Sequence, residues 1–256
     1  MEIYSDMERA PYAVRAAILV HGGQSHVQGG KAKGGFATIH DVSQGPGQRP
    51  VIEAGRLLGT AELEEVLAAL NPARGLQFIP DSLLASSSAA LVWWRRPGPE
   101  RVWFKTHAED ALQDRTGIVP HPALVFAATM GGWFVWAVKG AERPSLDTAL
   151  YQAPYLNTYE DGSLCQGNVV LPKTLDASVT IEFERAFFGS RFTHANVHGK
   201  NRLVKWRGGA IALWDSLLKR RRRLFPEHAL VPLTGITLGS VISALSKGET
   251  LAGRAG

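Results

Sequence analysis

The chain has 256 residues, 45% of them hydrophobic and 20% charged, a balance that excludes a disordered or fibrous protein and gives room for one large domain or two small ones. Its single cysteine cannot close an internal disulfide or build a cysteine-based zinc or iron–sulfur site. That excludes a disulfide-stapled secreted scaffold and makes a reducing cytoplasm the expected location. The net charge of +5 is unevenly spread: eleven Lys or Arg and one acid, Asp215, lie between Arg185 and Arg223, leaving seventeen bases against twenty-two acids elsewhere. Such a segment suits an acidic partner, protein or nucleic acid, or forms a solvated helix face.

The first eleven residues carry three acids, one base and no apolar run, so neither a secretory nor a mitochondrial leader is expected there. Short apolar runs follow at Ala16–Val20, Phe36–Ile39 and Val51–Ile52, read as strands. The intervening loop from His21 to Gly35 holds six glycines, but Ser25 and Ala32 stand where a phosphate-binding loop needs glycine and a hydroxyl, so it is read as a plain connection. Thr60 to Leu70 is the clearest early helix: Thr60 is its cap, and Leu63, Val66, Leu67 and Leu70 form one apolar stripe before Asn71-Pro72.

After Pro80, four strand-like runs, Ala90–Trp94, Arg101–Lys105, Ala123–Thr129 and Trp133–Lys139, predict an antiparallel meander. The uncharged stretch Thr116–Val138 reaches the length of a membrane span, but its prolines and the Met130-Gly131-Gly132 break mark a buried hairpin; no membrane association is expected. An irregular, proline-bearing region runs from Arg143 to Pro172. Helices are predicted over Ile181–Phe188 and Ala210–Phe225, and a strand or helix over Thr234–Leu245. The layout is α+β: an N-terminal β region over residues 1–56, a core over 57–228, and a C-terminal extension and tail over 229–256.

Cys165 lies in the irregular region. A free cysteine is commonly a small buried hydrophobe, but Asp161-Gly162 signals a turn just before this one, which would present the thiol. Asn157, eight residues upstream, could return over the thiol as an amide donor for the oxyanion of acyl transfer.

At these residues the chain resembles the ubiquitin-conjugating superfamily, in which the asparagine of a His-Pro-Asn motif precedes the catalytic cysteine by the same interval. Asn157, Gly162, Ser163, Leu164 and Cys165 match; Tyr155 and Leu156 replace the His and Pro, and Gln166 replaces a leucine. A longer set, including Trp93-Trp94, Val102-Trp103-Phe104, Pro122–Phe126, Ala153-Pro154-Tyr155 and Phe187–His194, is similar to the PRTRC system protein B family, bacterial ubiquitin-conjugating-like proteins associated with mobile elements. The resemblance implies an α+β ubiquitin-conjugating-like fold and a thioester on Cys165, with Asn157 at the oxyanion and no cofactor. It also implies three partners: a ThiF-type adenylating protein, a small ubiquitin-like protein and a ParB-related protein.

Three other arrangements are open on the residues. His194 and His198 have the i, i+4 spacing of metal ligands, without the acid of a zincin motif. Cys165 with His194 and Asn196 would make a cysteine hydrolase. Lys219, Arg220, Arg221, Arg222 and Arg223, with Trp206 and Trp214 upstream, are a candidate partner-binding cluster that could also touch nucleic acid.

Overall fold

The computed structural model describes residues 14–22, 35–70, 78–167, 169–172, 174–197, 203–219 and 222–249. They fall into two compact units, Met1–Gln77 and Phe78–Gly256.

In the first unit, β1 (Ala16–Gly22), β2 (Gly35–Gln44) and β3 (Pro50–Leu57) form an antiparallel sheet in that order. The expected helix follows as α1 (Thr60–Leu70). Glu62 in its first turn accepts the Gly59 N–H at 2.9 Å and pairs with Arg56, which together hold its carboxyl below the usual range. Most of the glycine-rich loop between β1 and β2 lies outside the described residues.

The second unit is built on a six-stranded sheet. Its strands are β4 (Leu83–Ser86), β5 (Ala90–Arg95), β8 (Ala123–Thr129), β9 (Gly132–Val138), β10 (Ala149–Gln152) and β12 (Pro232–Thr237), in the order β12-β10-β9-β8-β5-β4. The expected hairpin is the β8–β9 pair, with Thr129 opposite Gly132 across Met130-Gly131. The run at Arg101–Lys105 leaves the predicted meander. It falls in β6 (Gly98–Phe104), which pairs with β7 (Thr116–His121) and with the short β11 (Arg191–Phe192) in a separate three-stranded sheet. Its alternation explains why: Val102 and Phe104 are buried while Arg101 and Trp103 face outward, so one face meets solvent. Strands β5, β8 and β9 are apolar on both faces and take the covered centre of the large sheet.

Both faces of that sheet are covered. On one, Trp93, Phe126 and Trp133 pack against Phe183 and Phe187 of α2 (Thr180–Gly189), in a core that also includes Trp214 of α3 (Gly209–Lys219). On the other, Trp94, Val125 and Trp136 cluster with Leu238 and Val241 of α4 (Leu238–Lys247). Thr237 caps α4 by accepting the Ser240 N–H at 3.2 Å, and the reciprocal bond from the Thr237 N–H to Ser240 Oγ is 3.0 Å. The predicted final element is therefore both strand and helix, β12 joining the sheet and α4 covering it.

Helix α3 is shorter than the periodicity predicts, ending at Lys219; Phe225 still reaches the core, beyond the helix, with its ring 6.2 Å from Trp214. Among the described residues no helix is long and apolar enough to cross a membrane.

Candidate active site

The irregular region that carries Cys165 is a tight hairpin held against the core by buried polar side chains. It begins where β10 ends. Gln152, at the end of that strand and buried, donates from Nε2 to Tyr159 O at 3.0 Å. Pro154 O accepts the indole N–H of Trp214 at 2.6 Å, so α3 fixes the chain one residue before Tyr155. Thr158, fully buried, donates from Oγ1 to Tyr155 O at 2.7 Å and closes the crossing into a turn.

Tyr155, where the resemblance expects His, points inward. Its hydroxyl donates to Nδ1 of His121, whose Nε2–H donates to Glu100 O at 3.2 Å. Burial pushes the imidazole down to about 3 and the phenol well above its ordinary value, so both are neutral across the physiological range. Phe188, Phe192 and Trp214 surround the pair. In the sequence Tyr155 stands out only as a departure from the family motif and Trp214 only upstream of the basic cluster; the buried network that joins them to His121 leaves no periodic signal.

From Asn157 to Cys165 the backbone doubles back. Thr158 pairs with Leu164, the Tyr159 N–H donates to Ser163 O at 2.9 Å, and the Cys165 N–H donates to Asn157 O at 2.9 Å. The turn is made by Asp161, whose carboxylate accepts the Ser163 N–H at 2.9 Å and its hydroxyl at 2.6 Å, and by Gly162 at φ +85°. Gly162 is required twice over, since a Cβ there would also lie 2.2 Å from the Trp136 indole nitrogen. The hairpin's second arm joins the start of β9: Val135 N–H donates to Gly162 O at 2.8 Å and Leu164 N–H to Trp133 O at 3.2 Å. The thiol is thus carried by an extension of the central sheet. Thr158 on one hairpin face is buried, whereas Tyr159 and Cys165 on the other are exposed.

Asn157 sits opposite Cys165 with φ +64°, in the left-handed region that Asn tolerates better than most residues. Its Oδ1 accepts from Thr193 N–H at 3.0 Å and Thr193 Oγ1 at 2.8 Å, and its Nδ2 donates to Arg191 O at 2.9 Å. The Asn157 N–H also donates to His194 O at 2.8 Å. These bonds tie the hairpin to β11 and the segment after it.

His194 lies beyond that tie, with Nδ1 bonded to Thr193 Oγ1 at 2.8 Å; among the described residues no hydrogen bond joins its ring to Cys165. Tyr159 and Cys165 are exposed together on the hairpin, and the charge of the Cys165 sulfur, above all, raises the Tyr159 phenol above its ordinary value. His198 lies outside the described residues, and among those described no three His, Cys, Asp or Glu gather as a metal site. Beside the hairpin, Leu156, Thr193 and His194, with Trp206, Arg207 and Ile211, line an open cavity of about 750 Å³.

The sequence pattern described as Prokaryotic E2 family D matches residues 60–233, well over half of the chain and the whole hairpin that carries Cys165. The chain belongs to that family. Neither the curated proteins nor the solved structures contain a significant match. The α+β layout with added N-terminal strands that the resemblance implies is the architecture here.

In this E2-family chain the expected partner cluster divides. Lys219 is held by Asp215 at 2.7 Å, and the Arg222 guanidinium lies over Trp206 at 5.8 Å. Arg223 is exposed, and Arg220 and Arg221 lie outside the described residues.

Proposed function

We propose that this protein is an acyl carrier of the ubiquitin-conjugating type. Cys165 accepts the C-terminus of a small ubiquitin-like protein from a ThiF-type activating partner and passes it to an amine. One observation carries the reading: the only thiol of an E2-family chain is exposed on a hairpin that the core holds in place.

On loading, the Cys165 thiolate attacks the activated carbonyl carbon, a C–S bond forms, and the activating group departs with its electron pair. On transfer, the amine attacks that carbon, the C–S bond breaks, and the ammonium proton passes to solvent. A hairpin fixed by Asn157, Thr158, Gln152 and Gly162 keeps the acylated sulfur in one place while the acceptor approaches. Asn157 anchors the hairpin through Oδ1 and one N–H, and its second N–H, without a partner among the described residues, is a donor for the oxyanion. The Cys165–His194 hydrolase gains no support from a histidine bonded to Thr193 instead of the thiol. The similarity to the PRTRC system protein B family supports a bacterial mobile-element cassette as the setting and a ParB-related protein as a further partner.

The test mixes the protein with a ThiF-type activating protein, a small ubiquitin-like protein and ATP, and resolves the products on a non-reducing gel. The expected product is a thiol-sensitive adduct, absent in Cys165→Ala and thiol-resistant in Cys165→Ser. If partners of demonstrated activity yield no adduct, the carrier reading fails.

A further inference from the structure

The small sheet turns one face to solvent. On it Arg101 lies opposite Ile118 and Trp103 opposite Thr116, while Arg191 pairs with Trp103 from the other side. All five are exposed, whereas Val102, Phe104, Val119 and Phe192 are buried. Trp103 and Ile118 hold large apolar side chains in water, 42% and 64% exposed. Arg101 and Trp103, with Ile181, Arg185 and Phe188 of α2, also line an open groove of about 380 Å³.

Charge on this surface is one-sided. The two carboxylates of the groove, Glu100 and Glu184, are both paired with Arg95. Arg101, Arg185 and Arg191 have no ion-pair partner among the described residues; the Arg101 guanidinium lies over the Trp103 ring at 5.5 Å instead. Four guanidinium groups against two carboxylates leave a net +2 across face and groove. Arginine and tryptophan are the residue types that carry binding energy where two proteins meet. Ile118 and Ile181, both exposed, offer a phosphate backbone nothing but gain by covering an apolar side chain. Charge and apolar area together fit a protein surface with carboxylates around an exposed apolar residue.

The place of this surface ties it to the thiol. Asn157 Nδ2 donates to Arg191 O at 2.9 Å, so the short β11 anchors the Cys165 hairpin by its backbone and presents Arg191 on the outer face. We infer that the outer face of the β11-β6-β7 sheet, with the groove beside α2, docks the protein that loads Cys165, and that the ThiF-type activating partner meets it with an acidic surface around an apolar residue. The inference rests on the carrier reading for the partner's identity, but the surface itself does not depend on the thiol. It is separate from the Lys219–Arg223 cluster, whose described members lie over Asp215 and Trp206 or in solvent.

The test measures binding of the ThiF-type protein to the full chain by biolayer interferometry, without ATP or modifier, and then the rate of Cys165 loading at limiting partner. Arg101→Glu combined with Arg185→Glu, and separately Trp103→Ala, are expected to weaken binding at least about tenfold at low salt with unfolding midpoints close to the parent's. Arg101→Gln with Arg185→Gln gives the same comparison without reversing charge. Added salt should weaken the parent's binding and change that of the charge variants little. Loading should slow in proportion at limiting partner and recover as the partner's concentration rises. Variants that bind as the parent does overturn the proposal, as do a parent that does not bind and a loading deficit that persists at saturating partner. A fluorescein-labelled oligothymidylate that binds the parent but not the variants assigns the face to nucleic acid and overturns it too. If the parent forms no thioester with partners of demonstrated activity, the carrier reading fails, and loss of partner binding in the variants still establishes the surface.

Discussion

Asn157 O accepts the Cys165 N–H at 2.9 Å while the Asn157 carboxamide is bonded to Thr193 and Arg191. One residue therefore links the cysteine-bearing arm to the segment around β11, and it does so from a backbone conformation with φ +64°. Conformation and side chain can be separated by substitution. Asn157→Gly keeps the left-handed backbone and loses the carboxamide; Asn157→Ala loses both. In chemical denaturation Ala is expected to be about 1 kcal/mol less stable than Gly. Both variants should show faster proteolysis around residues 157–167 than the parent protein.

The Gly162 turn is less forgiving. An alanine there meets the Trp136 indole, which is buried in β9, and adopts φ +85° at a further steric cost. Gly162→Ala should lose more than about 2 kcal/mol of stability by urea unfolding, or shift the hairpin so that adduct formation on Cys165 falls at least tenfold. A variant matching the parent in both measurements would show that the turn is not tightly packed.

How much of this was legible beforehand depends on the kind of interaction. Helix α1 and the β8–β9 hairpin are written in local periodicity and turn residues, and each appears within a residue or two of where the pattern places it. The departure of β6 into a second sheet was not legible, because the pairing of Arg101 with Ile118 joins residues whose partnership no local pattern encodes. Asp161-Gly162 marked the turn before Cys165. That residues 159 and 165 share a face became visible only once the register was known. The inward-facing Tyr155 was visible only as a departure from the family pattern; its histidine partner lies 34 positions away.

That buried pair makes stability depend on acid. Folded His121 stays neutral down to about pH 3, whereas in the unfolded chain the same group takes up a proton near 6.5. Between those values the unfolded state binds more protons, so acidification favours unfolding, by up to about 1.4 kcal/mol for each step of one pH value. Above 6.5 this group contributes no slope. His121→Gln removes the titration and should flatten the stability profile between pH 6.5 and 4, whatever its effect at neutral pH. An unchanged slope would assign the acid sensitivity to other groups. Tyr155→Phe leaves His121 Nδ1 buried without its donor and should cost about 1–3 kcal/mol at pH 7.

The basic segment offers a contrast between paired and unpaired charge. Lys219 already has Asp215 as a partner at 2.7 Å, and Arg222 lies over Trp206, whereas Arg223 is exposed and has no ion-pair partner among the described residues. If this segment steers an acidic activating partner toward Cys165, the free charge should matter most, through the association rate. Arg223→Glu is expected to slow adduct formation severalfold at low ionic strength. The difference should shrink above about 0.3 M salt, where screening shortens the reach of exposed charges. Lys219→Ala, which removes a charge already offset by its neighbour, should change the loading rate less than twofold. Equal effects of the two substitutions, or a loss for Arg223→Glu that salt does not reduce, would remove this segment from partner steering.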